Sequence, residues 1–211
     1  MKKCKEIWDG LKYSGYVLSH PIRGFYEMRF EGKGNLWSCL ILLVLMILAM
    51  VSNQLYVGTI FSSVNMREFN IIHQIAAVLI PVLLWCVANW SITVLMDGEG
   101  RFRDIFMATC YATMPYMMTT FIGVLLSNVI AADEATFMYL IVNIGLFFTG
   151  LLLFTGMVTV HQFTVKKSIL ALILTIAAMA FIAFLAVMFM SIVNDLINFI
   201  KGVIVELELR M

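Results

Sequence analysis

Five long apolar runs limit what this chain can fold into. They cover residues 37–58, 71–96, 105–130, 137–163 and 168–193. Each reaches the length of about 20 residues that a helix needs to cross about 30 Å of hydrocarbon. Residues 40–51 hold no charge at all, and a soluble helix is seldom apolar on every face over several turns. The sequence therefore predicts an all-α integral membrane protein, a five-transmembrane-helix bundle preceded by one or two amphipathic interfacial helices.

The composition leaves little room for anything besides this bundle. The chain has 211 residues, of which 62% are hydrophobic and 13% are charged. We expect an amphipathic cytoplasmic segment over 1–36, the bundle over 37–193 and a carboxyl-terminal tail over 194–211. The net charge of +1 shows no concentration of basic residues of the kind that nucleic acids require. A nucleic-acid partner is therefore not expected.

The basic residues outside the runs are distributed unevenly, and this predicts the orientation. Of the 14 Lys and Arg residues, 11 lie in the leading segment or in the connections after the second and fourth runs. The other three are Arg67, Lys201 and Arg210. Because cytoplasmic loops carry an excess of Lys and Arg, the amino terminus is predicted to be cytoplasmic and the carboxyl terminus extracytoplasmic. The predicted location is the plasma or inner membrane.

The leading segment has the pattern of a helix that lies along a membrane surface. Wound as a helix, Ile7, Trp8, Leu11 and Leu18 share one arc, and lysines occupy the opposite side. Such a helix suits an inner leaflet rich in anionic lipid. Pro21 disfavours helical backbone at His20, so the first helix should end there. Residues 22–30 repeat the mixture of aromatic and basic side chains.

These cytoplasmic segments are either a simple anchor for the first span or a docking surface for a protein partner. Candidate partner-binding residues are aromatic, apolar and basic ones near the membrane surface: Trp8, Leu11, Phe25, Tyr26, Arg101, Phe102 and Arg103.

The connection between the second and third spans has a distinctive sequence. Gly98 and Gly100 permit a tight turn and Phe102 follows them, and Asp104 is expected to cap the next helix or to lie in its first turn. Tyr111 and Ala112 come next, and Pro115 lies near mid-bilayer, where we expect it to kink the third span.

These positions, with His20-Pro21 and Phe25-Tyr26 ahead of the first span, resemble the Yip-type family of five-span membrane proteins, in particular its bacterial branch. The family is named for its interaction with Ypt/Rab GTPases. The Asp-Leu-Tyr-Gly-Pro motif of eukaryotic members does not occur in this sequence, so Rab-type GTPase binding is not carried over. The same stretch also invites comparison with the coupling loop of importer permeases, but it lacks the Glu-Ala-Ala start of that loop.

Polar residues inside the spans are a second set of candidates, because polar groups are costly in hydrocarbon. If the orientation is as predicted, a polar layer lies in the cytoplasmic half, with candidates Asn89, Tyr111, Thr113, Pro115 and Thr155. The layer would be a pathway for a small molecule or would consist of hydrogen bonds between helices. Small residues of the fourth and fifth spans predict that these two helices pack closely together.

No arrangement typical of catalysis is present in the sequence. The acidic residues lie in loops and tails, and the cysteines form no CxxC pair, so we expect no catalytic site, no metal and no cofactor. Two functions remain. The first is a non-catalytic adaptor or assembly subunit that binds membrane or cytoplasmic partners. The alternative is a subunit of, or accessory to, a small-molecule transport complex.

Overall fold

The structure is a computed structural model that describes residues 2–58 and 69–210. Arg67, which entered the orientation argument, lies outside the described residues. The described part of the chain contains no strand. One 3-10 turn, Ala132–Glu134, precedes the seventh helix. The helices are α1 (Lys2–Ser19), α2 (Pro21–Phe30), α3 (Leu36–Leu55), α4 (Ile71–Leu95), α5 (Phe102–Ala112), α6 (Met114–Ser127), α7 (Ala135–His161) and α8 (Val165–Arg210).

Five helical stretches are long and apolar enough to cross a membrane, which confirms the predicted fold class. They are α3, α4, the consecutive α5 and α6, α7, and α8 up to Glu206. The leading segment forms two helices, and α1 ends at Ser19 as Pro21 predicted.

The third span is broken near its middle, as Pro115 predicted. α5 ends at Ala112, α6 begins at Met114, and Pro115 stands in the first turn of α6. Across the break, the backbone N–H of Tyr116 donates to Thr149 Oγ1 on α7 at 3.3 Å. A freed backbone group inside a membrane needs a partner, and α7 supplies it here.

The described connections gather at two ends of the bundle. At one end, Arg29 of α2 donates to the carbonyl oxygens of Val160 and Glu99. We call this end, formed by α1, α2 and the connections 96–101 and 162–164, the basic end. At the other end, Gly58 N–H donates to Ser127 Oγ at 3.0 Å and Asn128 Nδ2 donates to the Tyr56 carbonyl at 2.8 Å.

The two leading helices are packed into the bundle and do not merely lie on a surface. Val17 and Phe25 are fully buried, and Met28 is nearly so. A Cβ on Gly24 would lie 2.9 Å from Val17 Cα, so the glycine lets α1 and α2 approach closely. The face of α1 that packs is centred on Gly10, Ser14 and Val17 and leaves Trp8 outside.

The expected packing of the fourth and fifth spans is wrong. α8 packs chiefly against α4, and contacts between α7 and α8 are few. The glycines of α7 have other neighbours: Gly145 lies against Thr119 of α6, and Gly156 lies against Phe25 and Ala108. Since these faces of α7 are already occupied, α8 buries its small residues Ser168, Ala171 and Thr175 in its first turns instead.

The segment expected to be a tail is also helical. α8 runs without a break over 46 residues, so the chain stays helical from the fifth span through residues 194–210. At 1.5 Å per residue this helix is about 69 Å long, more than twice the hydrocarbon thickness of about 30 Å.

Candidate functional site at the basic end

A buried histidine lies at the centre of the basic end. His161 is the last residue of α7, and only 1% of it is exposed. Its Nε2 lies 3.1 Å from Asn89 Oδ1, and Asn89 Nδ2 donates to Met157 Sδ at 3.1 Å. Since the amide oxygen can only accept, Nε2 carries the hydrogen. Nδ1 has no hydrogen-bond partner among the described residues.

The connection between α4 and α5 is pressed against this histidine ring. A Cβ on Gly98 would lie 2.8 Å from His161 Nδ1, and one on Gly100 would lie 2.6 Å from His161 Cε1. Gly98 N–H donates to the Thr93 carbonyl at 2.7 Å and so fixes the turn onto the end of α4. These two positions therefore need glycine for space beside the ring.

Arg29 joins α2 to the same site. Only 11% of its side chain is exposed, and its guanidinium donates to the carbonyl oxygens of Val160 and Glu99. The Val160 carbonyl belongs to the last turn of α7, where carbonyls lack partners within the helix. A cation at that position also opposes the negative end of the helix dipole. Arg29 thus caps α7 from another helix and holds the 97–101 turn in place.

The space enclosed beside His161 is very small. The cavity has a volume of about 10 Å³, which is room for about one water molecule. Its lining comprises mainly apolar residues of α4, α5 and α7, with Asn89, Thr109 and His161 as polar members. The site is therefore suited to holding helices together and has no room for a solute.

Most of the predicted partner-binding residues do lie on the surface. Trp8 is 59% exposed, Tyr26 is 48% exposed and Phe102 is 40% exposed, and Arg101 and Arg103 are also exposed. Leu11 is half-buried against the core.

Phe25 is different, because it is fully buried. The rim of its ring lies close to Gly156 of α7, where a Cβ would be 3.4 Å from Phe25 Cζ. A methyl group at Gly156 would thus be in ordinary van der Waals contact with the ring. Phe25 is thus a packing residue and does not offer a surface to a partner.

The predicted polar layer is not assembled. Asn89 bonds to His161, whereas the hydroxyls of Thr113 and Thr155 donate to backbone carbonyls three or four residues earlier in the chain, at 2.9 and 2.8 Å. The Tyr111 hydroxyl instead accepts from Asn35 N–H at 3.4 Å. Pro115 is buried at the break in the third span. A Thr hydroxyl that bonds to its own helix is satisfied locally, so nothing draws these side chains together.

Glu27 forms a second charged cluster near the basic end. Only 6% of its side chain is exposed, yet it accepts from Arg23 Nε at 2.7 Å and from Lys33 Nζ at 2.8 Å. The Lys33 hydrogen bond, and then that of Arg23, lower the pKa of Glu27 against the opposing effect of burial. Lys33 lies in the linker to the first span, so Glu27 ties this linker to α2.

We expect Glu27→Gln to weaken the fold at neutral pH and to remove part of its acid sensitivity. Because the folded pKa of Glu27 lies below its ordinary value of 4.5, the ionised form stabilises the native state above that pH. This contribution disappears as the pH falls through the lower folded pKa. Chemical unfolding in mild detergent at pH values of about 7 and about 4 measures the difference.

Glu31→Gln is the matched control for this prediction. Glu31 contacts Lys33 at 3.0 Å but is 50% exposed, so its replacement should change stability less. The prediction fails if the wild type and Glu27→Gln lose equal stability between the two pH values.

The residues that carry the family resemblance begin at this end with Gly98 and Gly100 and continue through the third span: Phe102, Tyr111, Ala112 and Pro115. The family model described as Yip1 domain matches residues 15–188. No curated protein and no solved structure gave a match in the same comparisons. The matched range runs from the last turns of α1 into α8 and covers most of the chain. The protein therefore belongs to the Yip1 domain family.

Proposed function

We propose that this protein is a non-catalytic adaptor or assembly subunit of the cell membrane, which binds a protein partner at its basic end. The proposal is supported chiefly by the polar lock, the contacts by which Arg29 and His161 join α2, the end of α7 and the 97–101 turn. The polar lock holds α2, the end of α7 and the 97–101 turn together as one unit. Tyr26, Arg101, Phe102 and Arg103 are exposed on these segments or next to them.

The chemistry of this surface suits a protein. Aromatic residues and Arg are the side chains most enriched at the energetic centres of protein interfaces. The Tyr26 and Phe30 rings pack against each other with centroids 4.7 Å apart, and the Arg29 guanidinium lies 4.5 Å from the Phe30 ring centroid. Such packed aromatics lose little conformational entropy on binding.

The distribution of Lys and Arg supports the orientation that the proposal requires, with the basic end on the cytoplasmic side. The leading segment, the connections of the basic end and the first turns of the helices that follow these connections hold 11 of the 14 Lys and Arg residues. By the positive-inside rule this end faces the cytoplasm, against an anionic inner leaflet. The carboxyl terminus is then extracytoplasmic. We include neither Rab-type GTPase binding nor catalysis in the proposal. The alternative role in transport stays a prediction, and no assembled polar layer supports it.

Native purification with two double variants tests the proposal. We expect Tyr26→Ser with Phe102→Ser to reduce recovery of a stoichiometric partner by about tenfold, the effect of losing about 1.4 kcal/mol of binding free energy. The matched control is Tyr56→Ser with Val129→Ser, which removes exposed apolar side chains at the opposite end of the bundle. Recovery of the partner at the wild-type level with Tyr26→Ser and Phe102→Ser would contradict the proposed surface. An equal loss of the partner with the control double variant would contradict it too.

A further inference from the structure

A cleft opens at the basic end between α1 and the linker that enters the first span. Asp9 and Tyr13 of α1 line one wall, and Lys33 and Asn35 of the linker line the other, with glycines beside them. We call it the linker cleft. Its volume is about 500 Å³, and ligand pockets typically enclose about 300–1,000 Å³. The linker cleft therefore has room for a ligand, whereas the cavity of about 10 Å³ beside His161 does not.

Contacts within the protein hold both walls of the linker cleft in place. Ser38 Oγ of α3 donates to the Ile7 carbonyl at 3.1 Å, and the Tyr13 hydroxyl donates to the Gly24 carbonyl at 2.6 Å. On the opposite wall, Lys33 Nζ lies 2.8 Å from a carboxylate oxygen of α2. A cleft that is formed in advance loses little conformational entropy when it binds a ligand.

The position of the linker cleft in the chain places it at the depth of lipid headgroups. The first span, α3, begins at Leu36, directly after the Asn35 that lines the cleft. Trp8 precedes Asp9, Trp37 follows the linker, and both tryptophans are exposed. Exposed tryptophans at the ends of spans are typical of the boundary between membrane and water. The molecules that meet the cleft at this depth are therefore phospholipid headgroups.

The two walls present groups of opposite charge. Asp9 has an exposed carboxylate, which only accepts hydrogen bonds. Lys33 pairs with two carboxylates at 2.8 and 3.0 Å, so at least one of its three ammonium hydrogens remains for a ligand. The Asn35 amide oxygen accepts from Trp37 N–H at 3.0 Å, which leaves the amide nitrogen as a donor. A ligand that complements both walls has a cationic N–H donor and, a short distance away, anionic oxygens.

We propose that the linker cleft binds the headgroup of phosphatidylethanolamine, with its ammonium at Asp9 and its phosphate between Lys33 and Asn35. The quaternary ammonium of choline has no hydrogen to donate and is bound by cages of aromatic rings, whereas this lining offers one ring, that of Tyr13. Phosphatidylglycerol has the phosphate but no cation for Asp9. The linker cleft shares no residue with the docking surface proposed above, so the two proposals stand or fall separately.

Retention of lipid by the purified full-length protein tests this proposal. The protein is incubated in mild detergent with equal amounts of phosphatidylethanolamine, phosphatidylcholine and phosphatidylglycerol of one acyl composition, and bound lipids are counted by native mass spectrometry. We expect phosphatidylethanolamine to be retained about tenfold more than either of the others, because only its ammonium forms a charge-assisted hydrogen bond with Asp9. Equal retention of the three lipids would overturn the proposal, and so would a preference for phosphatidylglycerol.

Three variants assign this preference to the linker cleft. Asp9→Asn keeps the shape of the side chain and should abolish the preference for phosphatidylethanolamine. Asn35→Ser keeps a good cap for α3 but loses the amide nitrogen, so it should weaken retention of all three lipids. Asp133→Asn is the matched control, because it removes an exposed carboxylate at the opposite end of the bundle. A preference that survives Asp9→Asn, or that disappears equally in Asp133→Asn, would contradict the site.

Soluble phosphoethanolamine separates a lipid from a free zwitterion, since it carries the same charged groups without acyl chains. At a concentration equal to that of the lipid, it should leave retention of phosphatidylethanolamine unchanged. Displacement of the lipid would assign the linker cleft to a soluble ligand and would overturn the proposal.

Carbodiimide cross-linking in liposomes locates the ammonium directly. The reagent activates a carboxylate, and a primary amine held against it then displaces the activated oxygen to form an amide. We expect a phosphatidylethanolamine adduct on Asp9 at least about fivefold more often than on the equally exposed Asp133, because a bound ammonium is held in contact with its carboxylate. Equal labelling of the two residues would mean that Asp9 merely lies near headgroups, and the proposal would fail.

Discussion

Replacing Arg29 with Met is expected to destabilise the protein by about 3 kcal/mol, because hydrogen bonds from a charged donor each contribute about 1.5–3 kcal/mol and their loss leaves the part-buried Val160 carbonyl unpaired. Arg29 is the donor to the carbonyls of Val160 and Glu99, and 11% of its side chain is exposed. Met keeps much of the apolar stem but offers no donor. Unfolding in mild detergent, followed by far-ultraviolet circular dichroism, measures the loss.

Two further variants make this expectation specific. Arg29→Lys keeps the charge at the end of α7 but loses the fork that spans two carbonyls, so its stability should fall between those of the wild type and Arg29→Met. Arg103→Met removes an exposed guanidinium from the neighbouring α5 and should change stability by less than about 0.5 kcal/mol. If Arg29→Met is no worse than Arg103→Met, Arg29 does not cap α7.

The architecture of the bundle could be predicted from the sequence because the bilayer imposes it. A membrane span must be apolar over its whole length, and helices satisfy their own backbone groups, so the five runs determine both the number and the type of elements. The break at Pro115 was predictable for a local reason, since proline has no N–H to donate. The helix boundary at Pro21 was predictable for a different local reason, because the proline ring sterically disfavours helical backbone at the preceding His20.

Which helices pack together could not be predicted in the same way. Apolar residues are equally satisfied by lipid and by protein, so hydropathy does not distinguish the buried face of a span. The small residues of α7 and α8 suggested that these helices pack together, yet Gly145 makes room for Thr119 of α6 and Gly156 contacts the Phe25 ring. A small residue shows that something approaches closely, but it does not identify the neighbour.

The polar lock was missed for a related reason. In the sequence, His161 stands near the end of one apolar run and Arg29 stands ahead of another. Both therefore resemble ordinary residues of a membrane boundary. Asn89 was identified as a candidate, but its partner is 72 residues away in the sequence. The one sequence signal for this contact was the pair Gly98 and Gly100, which belongs to the residues that carry the family resemblance. Two glycines in a turn suggest conformational freedom, whereas here they leave space for a histidine ring.

That interpretation of the glycines leads to a second strong expectation, for Gly100→Ala. A Cβ at this position would lie 2.6 Å from His161 Cε1 and 2.9 Å from Val160 Cγ1, so either the ring or the turn must move. Overpacking of this kind costs about 1–3 kcal/mol. Gly150→Ala is the matched control, because a Cβ there meets nothing within 4 Å. Alanine also favours the helix at that position, so Gly150→Ala should preserve or slightly raise stability.

A double-mutant cycle separates this clash from general damage to the turn. His161→Ala removes the ring that the new methyl group would meet, so Gly100→Ala should cost at least about 1 kcal/mol less in the His161→Ala background than in the wild type. His161→Ala alone should destabilise, since it leaves a cavity and takes away the partner of the buried Asn89 amide. Additive losses would mean that the glycine is required for the backbone conformation of the turn and not for space beside the histidine. A smaller loss of stability from Gly100→Ala in the His161→Ala background would show that the end of α7 holds the turn between α4 and α5. The proposed docking surface depends on this contact.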